Sequence, residues 1–295
     1  MQVAFKQPAM QNYVAKLNDG IRQGLDRWRE KGDFRFYQAI KQLTLDTAAS
    51  VFLGMPLGQE ADRINQAFFD SVQAAVAVIR TPIPGTKMWR GVQGRKYLER
   101  FFREQIPLRR GTQGTDMFTL LCNAVDEDGN SYTDSDIVDH MDFLMMAAHD
   151  TLTSSITTLI YELCRHPDWQ EAARRECAAL NLPADNLPYE HLADLQIIEW
   201  CFKEALRLNP PVPSIPRTAI REFQFGGYTI PAGSTVNISP GFTHKMPELW
   251  ENPHNFEPDR FSDQRAEERK HKFAWVPFGG GAHMCIGLHF AYMQT

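Results

Sequence analysis

The 295-residue sequence lacks paired cysteines. Its five, at 122, 164, 177, 201 and 285, are scattered, odd in number and free of any C-x-x-C pair. That argues against a disulfide framework and a zinc knuckle, and favours a reducing, cytoplasmic setting. The sequence also lacks a signal-peptide pattern at its start and an apolar run long enough to span a bilayer. No long basic run is present, and 31 Lys and Arg against 36 Asp and Glu leave a formal charge of −5. A general nucleic-acid binder is thereby disfavoured. There is no internal repeat. What is present is ordinary for a globular protein with a sizeable core: 43% hydrophobic and 23% charged residues, in a length that suggests about two domains or one large one.

The first two-thirds reads as helices. Residues 8–32, 37–54, 60–79 and 88–106 carry apolar side chains at helical spacing, and "RTPIPGTK" (80–87) marks a loop by its prolines and glycine. Thr133 and Asp136 form a capping-box pattern, from which a helix is predicted to run to about Arg165, where His166-Pro167 stops it. A further helical pair follows. The pattern then changes: "TAIREFQFGGYTIPAGSTVNIS" (218–239) is β-branched, alternating and split by Gly-Gly-Tyr and Pro-Ala-Gly turns, so it reads as short strands. "MPELWENPHNFEPDRFSDQ" (246–264) is an aperiodic meander. The predicted class is mainly α with a small β-sheet.

Three stretches carry chemistry. "FGGGAHMCIG" (278–287) places Cys285 behind three glycines and ahead of a helix-like segment. Such glycines fit a tight turn or a close approach, and a Cys at a helix start meets donors that favour thiolate over thiol. A structural Cys in a loop is the competing reading. "FLMMAAHDTLTSS" (143–155) sits in the middle of the long helix, with Ala147, Thr151 and Ser154 on one face beside Ala148 and Ser155. A flat, bulky partner fits a face so small and hydroxylated. Asp150 and Thr151 set a carboxylate beside an alcohol, with proton-relay potential; a small-residue helix crossing with back-bonded hydroxyls is the alternative. "KEALRLNPPVPSIPR" (203–217) places Glu204 and Arg207 at i, i+3, with Arg260 of "FEPDRF" available downstream for a buried Arg–Glu–Arg cluster. If residues 213–217 are extended, Pro213, Ile215 and Arg217 share a face: an apolar wall ending in one cation suited to a carboxylate.

Taken in order, these motifs resemble the cytochrome P450 family of haem-thiolate monooxygenases. "FGGGAHMCIG" fits the family's F-x-x-G-x-[R/H]-x-C-x-G loop, "AAHDT" its oxygen-binding helix motif, "EALR" its E-x-x-R and "FEPDRF" its meander motif. The resemblance covers essentially the whole chain. "MQVAFKQPAM" resembles the middle of an early helix and "HFAYMQT" stops inside the helix after the Cys, so a single domain over residues 1–295, truncated at both ends, is expected.

The resemblance implies haem b as cofactor, with Cys285 as its axial thiolate. It further implies that Phe278 and Gly279 pack near the sulfur, that Gly287 and Ala147 adjoin the cofactor, and that His283 and Arg217 bind its propionates. His283 stands where Arg is usual, which makes that contact more sensitive to pH. Asp150 and Thr151 match the acid–alcohol pair that delivers protons. Ala148 replaces the usual Gly, and Leu152 a frequent second hydroxyl residue. Glu204, Arg207 and Arg260 match a structural triad. Phe143, Met146, Ala147 and Ile215 would meet a lipophilic substrate, with O2 and a ferredoxin-like, flavodoxin-like or reductase electron donor as further partners. "RKHK" (269–272) could help dock that donor, and a solvated charge run is the equal alternative. The resemblance leans toward the sterol- and retinoid-oxidising branch. A haem-thiolate isomerase or peroxygenase and a non-catalytic helical remnant remain open, as does a zinc site at His283, Cys285 and His289 that lacks a fourth ligand.

Overall fold

The computed structural model describes residues 2–56, 58–183 and 186–295, with residues 2 and 3 described by their backbone alone. The chain divides into two compact units, one of residues 1–153, 182–192 and 289–294 and one of residues 154–181, 193–288 and 295.

The first unit is helical. α1 (Gln7–Lys31) starts on Pro8 and stops at Gly32, whose φ of 68° few other residues adopt. α2 (Phe36–Leu53) stops the same way at Gly54. α3 (Gln59–Ala75) and α4 (Lys87–Arg109) follow. α3 is shorter than its apolar pattern predicts: Val76, Val78 and Ile79 lie beyond it and are exposed, so no burial holds another turn. α4 instead continues past Pro107 to Arg109. These two helices meet backbone to backbone, because a Cβ on Gly94 would sit 2.3 Å from the Ala67 carbonyl oxygen and one on Gly91 2.7 Å from that of Asp70. α5 (Met117–Cys122) is capped by Asp116, which accepts from the Thr119 N–H at 2.9 Å.

α6 (Asp134–Arg165) begins at the predicted capping box. The Thr133 and Asp136 side chains accept each other's backbone N–H at 3.2 and 3.0 Å. The core of this unit is a large apolar cluster, with Asp46, Asn65, Asp116 and His149 buried beside it. Met10, Tyr13 and Leu17 of α1 join Phe52 of α2, Phe68 of α3, Phe102 of α4 and Met141 of α6. Phe290 enters from α10 (Leu288–Gln294), its ring edge-on to Tyr13 at 6.1 Å and tilted against Phe52 at 5.3 Å.

The second unit holds the end of α6, then α7 (Pro167–Ala179) and α8 (Gln196–Leu208). Glu176 of α7 caps α8, accepting from the N–H groups of Ile197 and Ile198 at 2.7 and 3.1 Å. Four short strands follow: β1 (Ile215–Thr218), β2 (Phe223–Phe225), β3 (Tyr228–Ile230) and β4 (Thr235–Ile238). They form two separate antiparallel pairs, β1 with β4 and β2 with β3, where the sequence suggests one small sheet. Gly226 and Gly227, both at positive φ, make the β2–β3 turn. α9 (Pro240–Thr243) leads into the aperiodic segment, which surrounds a small core of Trp250, Phe261 and Ala274. No described helix is long and apolar enough to cross a membrane.

Candidate functional site

The Cys285 loop is a closed turn. The Cys285 N–H donates to the Phe278 carbonyl at 2.9 Å, Gly279 N–H to Val276 at 3.0 Å and Met284 N–H to Gly281 at 3.2 Å. Gly279 and Gly281 lie at φ 76° and 74°, which explains two of the three glycines by backbone conformation. The Cys285 side chain is exposed. Neighbouring protein atoms nonetheless push its thiol up, and the Gly287 N–H pulls the other way. The expectation that a helix start favours the thiolate therefore fails in the chain by itself. α10 opens at Leu288, three residues late, so its dipole does not outweigh desolvation. His283 is exposed in the short turn Gly281–His283.

Side chains that span long sequence distances pin this loop. Trp275 stacks edge-on against Phe278 with ring centroids 6.0 Å apart, and its indole N–H donates to the Lys203 carbonyl of α8 at 3.2 Å. His244 is fully buried, and its Nε2 accepts from the Val276 N–H at 2.8 Å. Burial, reinforced by the Arg207 charge, lowers His244 to about 4, so the ring is neutral at pH 7 and free to accept.

Beneath lies the ion cluster. Glu204, Arg207 and Arg260 are all fully buried. Arg207 grips Glu204 in a fork, Nε to Oε2 at 2.7 Å and Nη2 to Oε1 at 2.8 Å. Arg260 Nε reaches Glu204 Oε1 at 3.0 Å, and its Nη1 reaches Glu267 Oε2 at 2.9 Å. The same charges satisfy the backbone of the aperiodic segment. Arg207 donates to the carbonyls of His244, Pro253 and Asn255, and Arg260 to that of Glu251. Glu204 and Glu267 accept the N–H groups of Glu257 and Glu251. Sequence reasoning finds the triad but misses Glu267, the Arg265 that pairs with it, and His244. Glu267 and Arg265 sit in a charge-rich run that looks solvated, and a single His between Thr and Lys carries no pattern.

On β1, Ile215 and Arg217 share a face, while Pro213 lies before the strand. Arg217 is exposed and bonds the Pro216 carbonyl at 2.9 Å. Unlike Arg207 and Arg260, it has no carboxylate partner among the described residues. In "RKHK", Arg269 pairs with Asp263 and Glu268, and Lys270 lies 4.0 Å from Glu267. Much of that patch is thus neutralised.

Phe143 to Thr151 of α6 belong to the first unit. The Thr151 hydroxyl donates to the Ala147 carbonyl at 2.6 Å, the back-bonded arrangement that counts as the plainer alternative. Asp150 Oδ1 is held by Lys41 of α2 at 3.2 Å and lies equally near His149 Nδ1. Lys41, a partner invisible in local sequence, is 109 positions away. His149 is buried and lowered to about 4 by desolvation, hence neutral at pH 7. Phe143 and Met146, both about half exposed, line a cavity of about 510 Å³ among α3, α4 and α6 with Phe68, Val72 and Leu98. Ala147 is half-buried on α6 and does not line that cavity, and Ile215 is on β1 of the second unit. No three His, Cys, Asp or Glu side chains cluster as metal ligands among the described residues.

Comparison with known proteins adds the family. The sequence model of the family described as Cytochrome P450 matches residues 1–295. Cytochrome P450 136 of Mycobacterium tuberculosis is 40% identical over 100% of this chain and 60% of its own length. Human cytochrome P450 26B1 is 30% identical over 97% of the chain and 58% of its own. The chain therefore spans about 60% of the length of these curated relatives. Among solved structures, retinoic acid-bound cyanobacterial CYP120A1 superposes with a TM-score of 0.87 at 28% identity, covering 99% of this chain and 67% of that one.

Proposed function

The chain belongs to the cytochrome P450 family, and on that premise we propose that it is part of a haem-thiolate monooxygenase. Its reaction inserts one atom of O2 into a lipophilic small molecule, with electrons from a redox partner. The two units are parts of one domain in this reading, because the family match runs across both. The free cysteines support a cytoplasmic setting.

The family's cofactor is haem b, and the residues present fit it. A porphyrin brings four ligands of its own and asks one soft donor of the protein. The Cys285 loop offers one exposed sulfur with the Gly287 N–H directed to it, where an all-protein metal site would need a cluster of donors. That exposed thiol is the observation that carries the proposal. Arg217, without a carboxylate of its own, and His283 would hold the propionates. Phe278, Gly279, Gly287 and Ala147 would pack against the ring. When bound, the haem supplies the oxygen-activating chemistry.

The chain's own residues do the rest. The thiol that desolvation holds up loses its proton to become the ligand, and the Gly287 N–H stabilises the resulting charge. Thr151, whose hydroxyl donates to the Ala147 carbonyl, would hold the relay water. Asp150, held by Lys41, passes protons inward. Glu204, Arg207 and Arg260 hold the Cys loop through His244 and touch no reacting atom. Phe143, Met146, Ala147 and Ile215 offer an apolar surface to substrate. The relatives' names, a sterol 14alpha-demethylase and a retinoic acid-bound structure among them, support a lipophilic substrate.

The test is the reduced, CO-bound spectrum of the haem-loaded protein. Cys285→Ser should abolish the red-shifted thiolate band, while Cys201→Ser and Cys164→Ser retain it. A band that survives Cys285→Ser overturns the proposal. In the same preparation, Thr151→Ala should divert reductant from product to peroxide, and unchanged coupling would return Thr151 to a packing role.

A further inference from the structure

Residues 71–98 carry five cations, Arg80, Lys87, Arg90, Arg95 and Lys96, and no Asp or Glu, in a chain whose formal charge is −5. All five are exposed. Within this stretch the α3–α4 connection exposes four aliphatic side chains in eight residues: Val76 at 70%, Val78 at 97%, Ile79 at 54% and Ile83 at 53%. Single exposed apolar residues are ordinary, whereas a cluster of them marks a contact surface. Hydrogen bonds hold the connection in this shape. Ala77 is buried and its N–H donates to the Ala74 carbonyl at 3.1 Å. The Ile83 N–H donates to the Thr81 carbonyl at 2.9 Å, and the Thr86 hydroxyl to the Ile83 carbonyl at 2.7 Å. The stems are fixed as well, because α3 and α4 meet backbone to backbone at Gly91 and Gly94.

We propose that this tip docks on the surface of an anionic lipid bilayer, with Val76, Val78, Ile79 and Ile83 among the acyl chains and the cations at the phosphates. Charge selects the partner. Arg90 lies 3.8 Å from Asp70, and Arg95 pairs with Glu99. Arg80 and Lys96 have no carboxylate partner among the described residues, and Lys87 donates to the Gln73 amide oxygen at 3.3 Å. An anionic headgroup layer would satisfy the charge that the chain leaves open. The backbone suits the same partner. Pro82 and Pro84 bring no N–H, so shallow insertion strands fewer polar groups away from water. Every residue from Val78 to Gly85 is exposed. A protein would need a pocket cut to such a tip, whereas fluid acyl chains close around any projecting side chain. Because no described helix is long and apolar enough to cross a membrane, the contact is one that lies in the interface.

Flotation of the haem-loaded protein, at its full natural length, with vesicles of phosphatidylcholine alone or mixed with phosphatidylglycerol tests this. The wild type should bind the mixed vesicles about 10- to 100-fold more tightly than the neutral ones, and salt should weaken that binding. Arg80→Gln and Lys87→Gln should each cost about 5-fold. Val78→Asp combined with Ile79→Asp should cost at least about 10-fold, and the exposure of both side chains keeps the fold out of that result. Ile220→Asp, at an aliphatic of the second unit that is 94% exposed, should change nothing. Val78→Trp gives a readout independent of affinity. The fluorescence it adds should be that of a water-exposed indole in the free protein, and lipids brominated on their acyl chains should quench it. Equal binding to neutral and anionic vesicles, or binding to neither, would overturn the proposal. So would a loss in Ile220→Asp as large as in the double variant. If the added indole is already shielded without vesicles, another part of the chain or a second copy covers the tip, and the proposal falls.

Discussion

The two units hold themselves together by different physics. The first packs helices around an apolar core in which Phe52, Phe102, Phe118 and Leu121 are fully buried, and its backbone polar groups are satisfied inside the helices. The second gathers Trp250, Phe261 and Ala274 inside its aperiodic segment and buries Phe202, Ala205 and Leu206 on α8. It buries Glu204, Arg207, Arg260 and Glu267. The reason is that residues 244–285 have little secondary structure, so their N–H and C=O groups need partners from elsewhere. Arg207 donates to three carbonyls and Arg260 to one, and the two glutamates accept from two N–H groups. Regular structure lets a chain use oil. An irregular segment that must still be rigid, because it carries Cys285, uses buried charge.

Glu204→Gln would break the contrast most sharply. Two guanidinium groups would remain buried around a neutral amide, and removing one partner of such a cluster costs about 3–5 kcal/mol. Hydrogen exchange should accelerate through residues 244–267 while α1, α2 and α5 keep their protection. Uniform acceleration across both units would show that the ion cluster is not a local support.

Acid should probe both units at once. His149 and His244 are both lowered to about 4 by burial, so the folded state favours the neutral rings. Their contribution is complete above the ordinary histidine value near 6.5, and it is lost as pH falls from there toward 4, up to about 3 kcal/mol for each. Asp142, raised to about 6, works with the opposite sign: its ionisation costs stability as pH rises from about 4 through 6. Denaturant midpoints followed by tryptophan fluorescence should therefore drop below pH 6.5. His244→Gln, which keeps an acceptor for Val276 and cannot titrate, should flatten about half of that drop. An unaltered acid profile would remove His244 from the account.

Gly94→Ala sharpens the comparison from the other side, with the smallest effect of the three. The new Cβ would meet the Ala67 carbonyl oxygen at 2.3 Å, and backbone cannot yield as a side chain can. The expected cost is about 1–3 kcal/mol, read as a lower midpoint for the first unit. Unchanged values would mean that α3 and α4 separate freely.

Periodicity made most of the helical unit legible, though not α5, since apolar spacing in α1, α2, α4 and α6 reports local geometry and burial together. It failed where the two diverge. Val76, Val78 and Ile79 are spaced for a helix but have nothing to pack on, and α4 ran through Pro107 because tertiary packing of Phe102 and Ile106 outweighs the lost N–H. In the second unit the motifs around Cys285, Glu204, Arg207 and Arg260 could be read because each is short and local. Their partners could not. Glu267, His244 and Trp275 reach their contacts across tens of residues, and Lys41 meets Asp150 from 109 positions away.

By itself, then, the sequence determined the helices, the closed glycine loop and the residue types able to hold a haem, because those depend on neighbours within a few positions. Only the tertiary structure decided which charges are buried, that burial pushes the Cys285 thiol up rather than down, and that Asp142 keeps a buried oxygen unpaired. Desolvation is the reason. It depends on everything that surrounds a group in space, and no stretch of chain records that.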